Sequence, residues 1–188
     1  SDLARAVGLN KTTTYRLLMA LENEGMVMRG AQAEGYRLGP AAITLGGRAL
    51  RSSSLRAAAH AELLVLAQAT NETATLEVLA DGQVLILDEV LGSHVLANTQ
   101  SLATRWPAHA TSTGKVLLAS LPDDQREALL SGGLARFTEH TVTDAHALRA
   151  ELKRVRAAGY ATAVDELELG FTAVGAPVRD VNRAVVAA

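Results

Sequence analysis

The chain has 188 residues, of which 48% are hydrophobic and 20% are charged, and its formal net charge is −2 at pH 7. This length suits one medium domain with a small one beside it. The absence of cysteine and of any run of 18 apolar residues excludes a disulfide framework, thiolate catalysis and a membrane-spanning helix. We therefore expect a globular protein of the cytoplasm, with no metal and no cofactor.

Charge is distributed unevenly along the chain. Residues 1–51 contain seven basic and four acidic side chains, a net charge of +3, whereas the remaining residues carry a net charge of −5. A basic segment joined to an acidic one is typical of a small nucleic-acid-binding head on a larger body.

The first segment, SDLARAVGLNKTTTYRLLMALENEGMV, predicts a short helix, a turn at Gly8 and a longer helix from about Lys11 to Glu24. The following MVMRGAQAEGYRLG predicts a β-hairpin. Helix, turn, helix and hairpin in this order make a winged helix-turn-helix. In the second helix, the apolar stripe predicted to face inward comprises Tyr15, Leu17, Leu18 and Leu21.

The opposite face of the second helix is hydroxylic and basic, which suits DNA, because a helix fits the major groove and its first residues reach bases and phosphates. In the alternative interpretation, the threonines only cap the helix and Arg16 is a solvated surface residue. The candidate DNA-binding residues are Lys11, Thr12, Thr13, Thr14, Arg16 and Arg29.

Residues 41–54 keep helical spacing but contain Gly46-Gly47 and the serine cluster 52–54, which predict a connecting helix with a hinge or break. A helix over 55–70 follows, then the strands TATLEVL, VLILDEV and HVLANT, and then helices that begin near Ser112, Pro122 and Asp144. The strands YATAVDE and FTAVGAPV and a last apolar run complete the pattern. An antiparallel sheet flanked by helices is an α+β fold.

The stretch HATSTGK at 109–115 allows several kinds of site. A phosphate loop is excluded, since His109 stands where its first glycine is required and Val116 follows the lysine. Ser112 and Lys115 match the Ser-x-x-Lys spacing of serine β-lactamases, but the Ser-Asp-Asn and Lys-Thr-Gly motifs are absent. A serine hydrolase using Ser112 and Lys115 is therefore the alternative function. We expect instead a helix start whose free amides and hydroxyls accept an anion.

The histidine and acids near this stretch leave two interpretations. His109 with Asp165 or Glu166 could form a base and its orienting group, or bind a metal. A histidine that holds a backbone group is the simpler expectation. The acidic residues Asp165, Glu166 and Glu168 are equally consistent with a solvated turn and with a proton-handling site.

Taken together, these blocks resemble the IclR-type bacterial transcriptional regulators nearly end to end. The head resembles the family in DLARAVGLNKTTTYRLLMALENEGMV and YRLGPAAITLG, and the body in PAHATSTGKVLLASLP, TVTDAHALRAELKRVRAAGYA and DELELGFTAVGAPVRD. The resemblance implies a winged helix-turn-helix over 1–40, a linker helix over 41–54 and a GAF-like effector domain over 55–188. It also implies a family helix before residue 1 and a strand and helix after residue 188.

The resemblance further implies a homodimer or dimer of dimers, without catalytic activity, that binds a palindromic operator in double-stranded DNA and senses a small organic acid. Ala163 and Ala173 replace an acid and a cysteine of better-known members, and Trp106 replaces a leucine. These changes favour a larger, aromatic carboxylate. The positions matched to the family's effector pocket are Val95, Asn98, Trp106, Thr111, Ser112, Thr113, Gly114, Ala163, Phe171 and Ala173.

Overall fold

The computed structural model describes residues 2–30, 35–93 and 102–188. The chain divides into two compact units, Ser1–Ala57 and Ala58–Ala188. The strand expected over HVLANT lies outside the described residues. Among the helices that are described, none combines the length and the apolar composition needed to cross a membrane.

The first unit has the element order of a winged helix-turn-helix. Helix α1 (Asp2–Ala6) and helix α2 (Lys11–Asn23) are followed by the antiparallel strands β1 (Val27–Arg29) and β2 (Tyr36–Leu38) and by helix α3 (Pro40–Ser52). Asn10 caps α2, since its side-chain oxygen accepts a hydrogen bond from the Thr13 N–H. Gly25 directs the chain from α2 into β1 with a φ of +67°, a left-handed conformation that glycine adopts without a steric cost.

The apolar stripe expected on α2 is not buried within the described residues. Leu17 is 51% exposed, Tyr15 56% and Leu21 41%, Leu18 is half-buried, and Thr14 is the residue of α2 that is buried. The prediction of an inward stripe is therefore wrong for this unit. Helical periodicity shows which side chains share a face, but it does not show whether another element covers that face.

The break in the connecting segment lies six residues later than the glycine pair. Gly46 and Gly47 lie inside α3, which continues to Ser52, so the predicted break lies in the serine cluster and not at the glycines. A glycine inside a helix costs only about 1 kcal/mol relative to alanine, and this is too little to end it. Ser53 separates the two helices, and its hydroxyl oxygen accepts a hydrogen bond from the Arg56 N–H at the start of helix α4 (Ser54–Thr70).

The second unit combines small antiparallel sheets with helices. In the first sheet, strand β4 (Gln83–Val90) lies between β3 (Ala74–Ala80) and β5 (Arg105–Pro107). In the second sheet, β6 (Ala161–Val164) pairs with β7 (Thr172–Gly175). In the third sheet, β8 (Val178–Arg179) pairs with β9 (Val185–Ala187). Glu77 and Ala188 exchange both backbone hydrogen bonds, so the chain following β9 lies beside β3. This mixed arrangement confirms the predicted α+β class.

Three helices of the second unit enclose its core. They are α5 (Ser112–Ser120), α6 (Asp123–Leu130) and α7 (Ala145–Ala158), and α5 is buried over almost its whole length. Asp144 caps α7 as predicted, and Gly159 ends it with a φ of 81°. The side chains that form the core with α5 include Val84, Leu130, Leu148, Leu152, Val155 and Ala161.

Candidate functional site

The outer face of α2 carries most of the residues predicted to bind DNA. Lys11, Thr12, Thr13 and Arg16 are exposed. Within the described residues, neither Lys11 nor Arg16 forms an ion pair or a side-chain hydrogen bond. Their charges are therefore available to an external partner.

Two other residues of that prediction are placed differently. Thr14 is only 6% exposed, and its hydroxyl donates to the Asn10 carbonyl oxygen, so this side chain is not presented to a DNA surface. Arg29 forms an ion pair with Glu22, with 3.3 Å between Nε and a carboxylate oxygen. The carboxylate of Glu22 raises the pKa of Arg29 and partly offsets the charge that Arg29 offers to a phosphate.

The hydroxyl run at 111–113 forms a helix start, as expected. Thr111 is the cap of α5: its side-chain oxygen accepts from the Gly114 N–H, and its carbonyl oxygen accepts from the Lys115 N–H. A helix leaves its first four N–H groups without intrahelical partners. Of these groups, the Thr111 side chain satisfies the Gly114 N–H and leaves the N–H groups of Ser112 and Thr113.

Glu77 is a site residue that the sequence did not reveal. The Thr113 hydroxyl donates to Glu77 Oε2, and the Thr75 hydroxyl donates to Oε1 at 2.9 Å. Burial raises the pKa of Glu77, while these two hydrogen bonds lower it. Thr113 has therefore given its hydroxyl hydrogen to Glu77 and can only accept a hydrogen bond from a ligand. Leu76 and Glu77 are both buried because the register of β3 shifts between them, so simple alternation along the strand does not predict a buried acid here.

Two glycines hold α5 tightly in place. A methyl group added at Gly114 would lie 2.2 Å from the Ala108 carbonyl oxygen. A methyl group at Gly175 would lie 2.7 Å from the Thr113 nitrogen, so the end of β7 packs directly on the Ser112 peptide. Gly114, one of the predicted pocket residues, thus allows the start of α5 to approach Ala108 closely.

Strands β6 and β7 bring other predicted pocket residues together. Ala163 is the cross-strand partner of Ala173. The rings of Trp106 and Phe171 meet edge to face, with 6.3 Å between their centroids and an interplanar angle of 87°. Val95 and Asn98 lie outside the described residues. Two cavities in the described part of the second unit, one beside α7 and one beside β3, are lined by none of the predicted pocket residues.

Lys115 is fully buried, and its amine is held by acids that are distant in sequence. Nζ donates to Glu151 Oε1 at 2.6 Å and to Glu166 Oε1. The second carboxylate oxygen of Glu166 has no hydrogen-bond partner among the described residues. Lys115 makes no hydrogen bond to Ser112 within that part of the chain, so its amine joins α5 to α7 and to the segment after β6.

The remaining candidates have structural partners. The Nε2 atom of His109 is 2.9 Å from the Ala135 carbonyl oxygen, as expected for a histidine that holds a backbone group. The Asp165 side chain accepts a hydrogen bond from the Gly170 N–H across an exposed turn. Of the three acids Asp165, Glu166 and Glu168, Glu166 is the one that is buried. The described residues contain no group of three or more His, Asp or Glu side chains placed to hold a metal ion.

Comparison with known proteins identifies the family of both parts of the chain. Residues 1–30 match the IclR helix-turn-helix domain, and residues 47–188 match the C-terminal domain of bacterial IclR transcriptional regulators. The HTH-type transcriptional regulator Rv1719 of Mycobacterium tuberculosis is 35% identical over 188 residues, an alignment that covers 100% of this chain and 71% of the relative.

Two similar proteins have been solved with a small aromatic acid. An IclR homolog from Microbacterium hydrocarbonoxydans, complexed with 4-hydroxybenzoate, is 32% identical with a TM-score of 0.77, over 99% of this chain and 77% of its own. The inducer-binding domain of the Acinetobacter transcription factor PobR, a double mutant in complex with 3-hydroxybenzoic acid, is 34% identical with a TM-score of 0.61, over 66% of this chain and 74% of its own. The chain belongs to the IclR family of bacterial transcriptional regulators.

Proposed function

We propose that this protein is a cytoplasmic, ligand-responsive transcriptional regulator that binds a palindromic operator as a dimer or a dimer of dimers. The observation that carries the proposal is the exposed face of α2, where Lys11 and Arg16 have no partner within the described chain, in a helix-turn-helix that matches the family. Helices of this kind insert their first residues into the major groove. Lys11, Thr12, Thr13 and Arg16 are thus the DNA-contacting set, with Arg29 beside them on the wing.

The test of this interface compares two arginines of the same unit. Operator sequences are selected from random duplexes, and binding to the selected and to scrambled DNA is measured by fluorescence anisotropy. If Arg16 reads a guanine, Arg16→Ala weakens specific binding by about 1 to 3 kcal/mol, and binding to scrambled DNA by less. Arg48→Ala, an exposed residue of α3, is the matched control. Equal losses on both DNAs would show that Arg16 contacts only phosphate.

The effector that fits the second unit best is a small aromatic carboxylate. The N–H groups of Ser112 and Thr113 and the Ser112 hydroxyl are donors suited to a carboxylate at the start of α5. Trp106 and Phe171 offer ring faces and edges for an aromatic body. Two homologues bind hydroxybenzoates, which supports the same class here. The Thr113 hydroxyl donates its hydrogen to Glu77, so its oxygen is suited to accept a hydrogen bond from a hydroxyl group of the ligand.

Because Ser112 is 2% exposed and Gly175 packs on its peptide, ligand entry requires β6 and β7 to move from α5. We propose this displacement as the step that changes the spacing of the two DNA-binding heads. A ligand shifts such an equilibrium only through its different affinities for the two states.

Titration calorimetry with 4-hydroxybenzoate tests the effector site. Ser112→Ala removes one hydrogen bond to a charged group and should weaken binding by about 1.5 to 3 kcal/mol, with operator binding in the absence of ligand unchanged. Ser131→Ala, which removes an exposed hydroxyl at the end of α6, is the control. An affinity unchanged in Ser112→Ala would remove the α5 start from the site.

The alternative function, a serine hydrolase, requires Lys115 to act as the base for Ser112. The Lys115 amine instead donates to Glu151 and Glu166, which speaks against that role. Assays with ester and β-lactam substrates distinguish the two functions. Turnover that disappears in Ser112→Ala would favour the hydrolase.

A further inference from the structure

A cavity of about 340 Å³ lies in the second unit, at the end of α5 opposite to its start. Its floor is apolar, from Val116, Ala119 and Val155. Its walls are the end of α7, which supplies Arg156, and the β8–β9 hairpin, which supplies Arg179 and Arg183. None of the residues proposed for the aromatic effector lines it, so it is a separate place on the same helix.

The ionisable side chains that line this cavity are all arginines. Of the residues that the structure describes, no Asp or Glu lines it, and Arg156, Arg179 and Arg183 form no ion pair. Nη1 of Arg179 donates a hydrogen bond to the Arg183 carbonyl oxygen at 3.0 Å, and the other N–H groups of the guanidinium remain available. Three cations around one concavity repel each other, and a bound anion relieves that repulsion.

The hairpin turn fixes where Arg183 stands. The Asp180 side chain accepts from the N–H groups of Asn182 and Ala184, and the Arg183 N–H donates to the Asp180 carbonyl oxygen. Arg183 has a φ of 65°, in the left-handed region that favours glycine. An arginine in this conformation costs about 1 kcal/mol relative to glycine. The Asp180 carboxylate is directed to the N–H groups of its own turn and thus supports the arginine without lining the cavity.

We infer that this cavity is a second ligand site, for a small phosphate monoester. Guanidinium groups bind phosphate oxygens through two parallel hydrogen bonds, and several arginines suit a dianion better than a monocarboxylate. The volume lies in the range of pockets that bury a small molecule, and the apolar floor accepts a short carbon body. A cavity of about 340 Å³ admits one small molecule, whereas a DNA duplex is too wide to enter it.

The experiment titrates the full chain with glycerol phosphate at low ionic strength and follows binding by calorimetry and phosphorus NMR. We expect saturable binding to the wild type. Arg156→Ala and Arg183→Ala should each raise the dissociation constant roughly tenfold, since each removes a charge-assisted contact. Arg154→Ala is the matched control, because this arginine lies on α7 but does not line the cavity. Arg154, Arg156 and Arg183 are all exposed, so each variant should fold, and its circular dichroism spectrum should match that of the wild type.

Four results would overturn the inference. The first is the absence of saturable binding up to about 10 mM glycerol phosphate, about ten times a dissociation constant of roughly 1 mM. The second is an equal loss in Arg154→Ala, which would indicate general attraction to a basic surface. The third is an equal loss in Ser112→Ala, which would place the phosphate at the start of α5. The fourth is a loss of operator affinity in Arg156→Ala and Arg183→Ala without any phosphate binding, which would assign the arginines to the DNA backbone.

Discussion

Replacement of Lys115 by methionine should destabilise the second unit more than any surface substitution. Lys115 has no exposed surface, and its amine is shared by Glu151 and Glu166. Methionine keeps a similar length and fills the space, but it leaves two carboxylates facing each other without a cation. Removing one partner of a buried ion pair costs about 3 to 5 kcal/mol.

The expected change in melting temperature follows from the size of the unit. A unit of about 130 residues has an unfolding entropy near 0.27 kcal/mol per degree, so this loss lowers its melting temperature by roughly 10 to 20 °C. Trp106 is the only tryptophan of the chain and lies in this unit, so its fluorescence reports on this unit alone. Thermal and urea unfolding followed at this residue give the difference directly.

Glu166→Gln is the internal comparison for Lys115→Met. One amine cannot neutralise two carboxylates, and the second oxygen of Glu166 is without a hydrogen-bond partner among the described residues. The amide leaves a balanced pair of Lys115 and Glu151, so we expect a much smaller loss than in Lys115→Met. A Lys115→Met variant within about 1 kcal/mol of the wild type, or a Glu166→Gln variant that is equally unstable, would refute this reasoning.

Three further predictions concern individual contacts. Burial raises the pKa of Glu77, so the folded state binds the Glu77 proton more strongly than the unfolded state does. The free energy of unfolding should therefore fall as the pH rises from about 4.5 through the raised pKa. Glu77→Gln should remove this slope in urea unfolding, and parallel curves for the two proteins would contradict it. Gly114→Ala should lower the free energy of unfolding by about 1 to 3 kcal/mol or more, because the added methyl group meets backbone atoms. In the control Gly132→Ala, the methyl group meets nothing closer than 3.6 Å, so this variant should be as stable as the wild type. Asn10→Ala should cost about 1 kcal/mol in the first unit through the lost cap of α2, measured by hydrogen exchange of α2 amides, and unchanged exchange would argue against the cap.

Sequence patterns identified the elements because their signals are local. The stop at Gly25, the cap at Asp144 and the start of α5 after Thr111 each depend on backbone groups within a few residues. The same local logic predicted the outer face of α2, since helical spacing alone puts Lys11 next to Thr12 and near Arg16. It failed for the leucine stripe, because periodicity shows which residues share a face but not whether another element covers that face.

By itself, the sequence determined the order of helices and strands, the helix start at HATSTGK and the family to which the chain belongs. Only the tertiary structure decided what that helix start contacts: Glu77 lies 36 residues before Thr113. The tertiary structure also decided the role of Lys115, because its partners Glu151 and Glu166 lie 36 and 51 residues farther along the chain. It also brought three arginines from one helix and one hairpin together around a cavity. Capping and turn formation satisfy nearby backbone groups, whereas buried charges find their partners wherever packing excludes water.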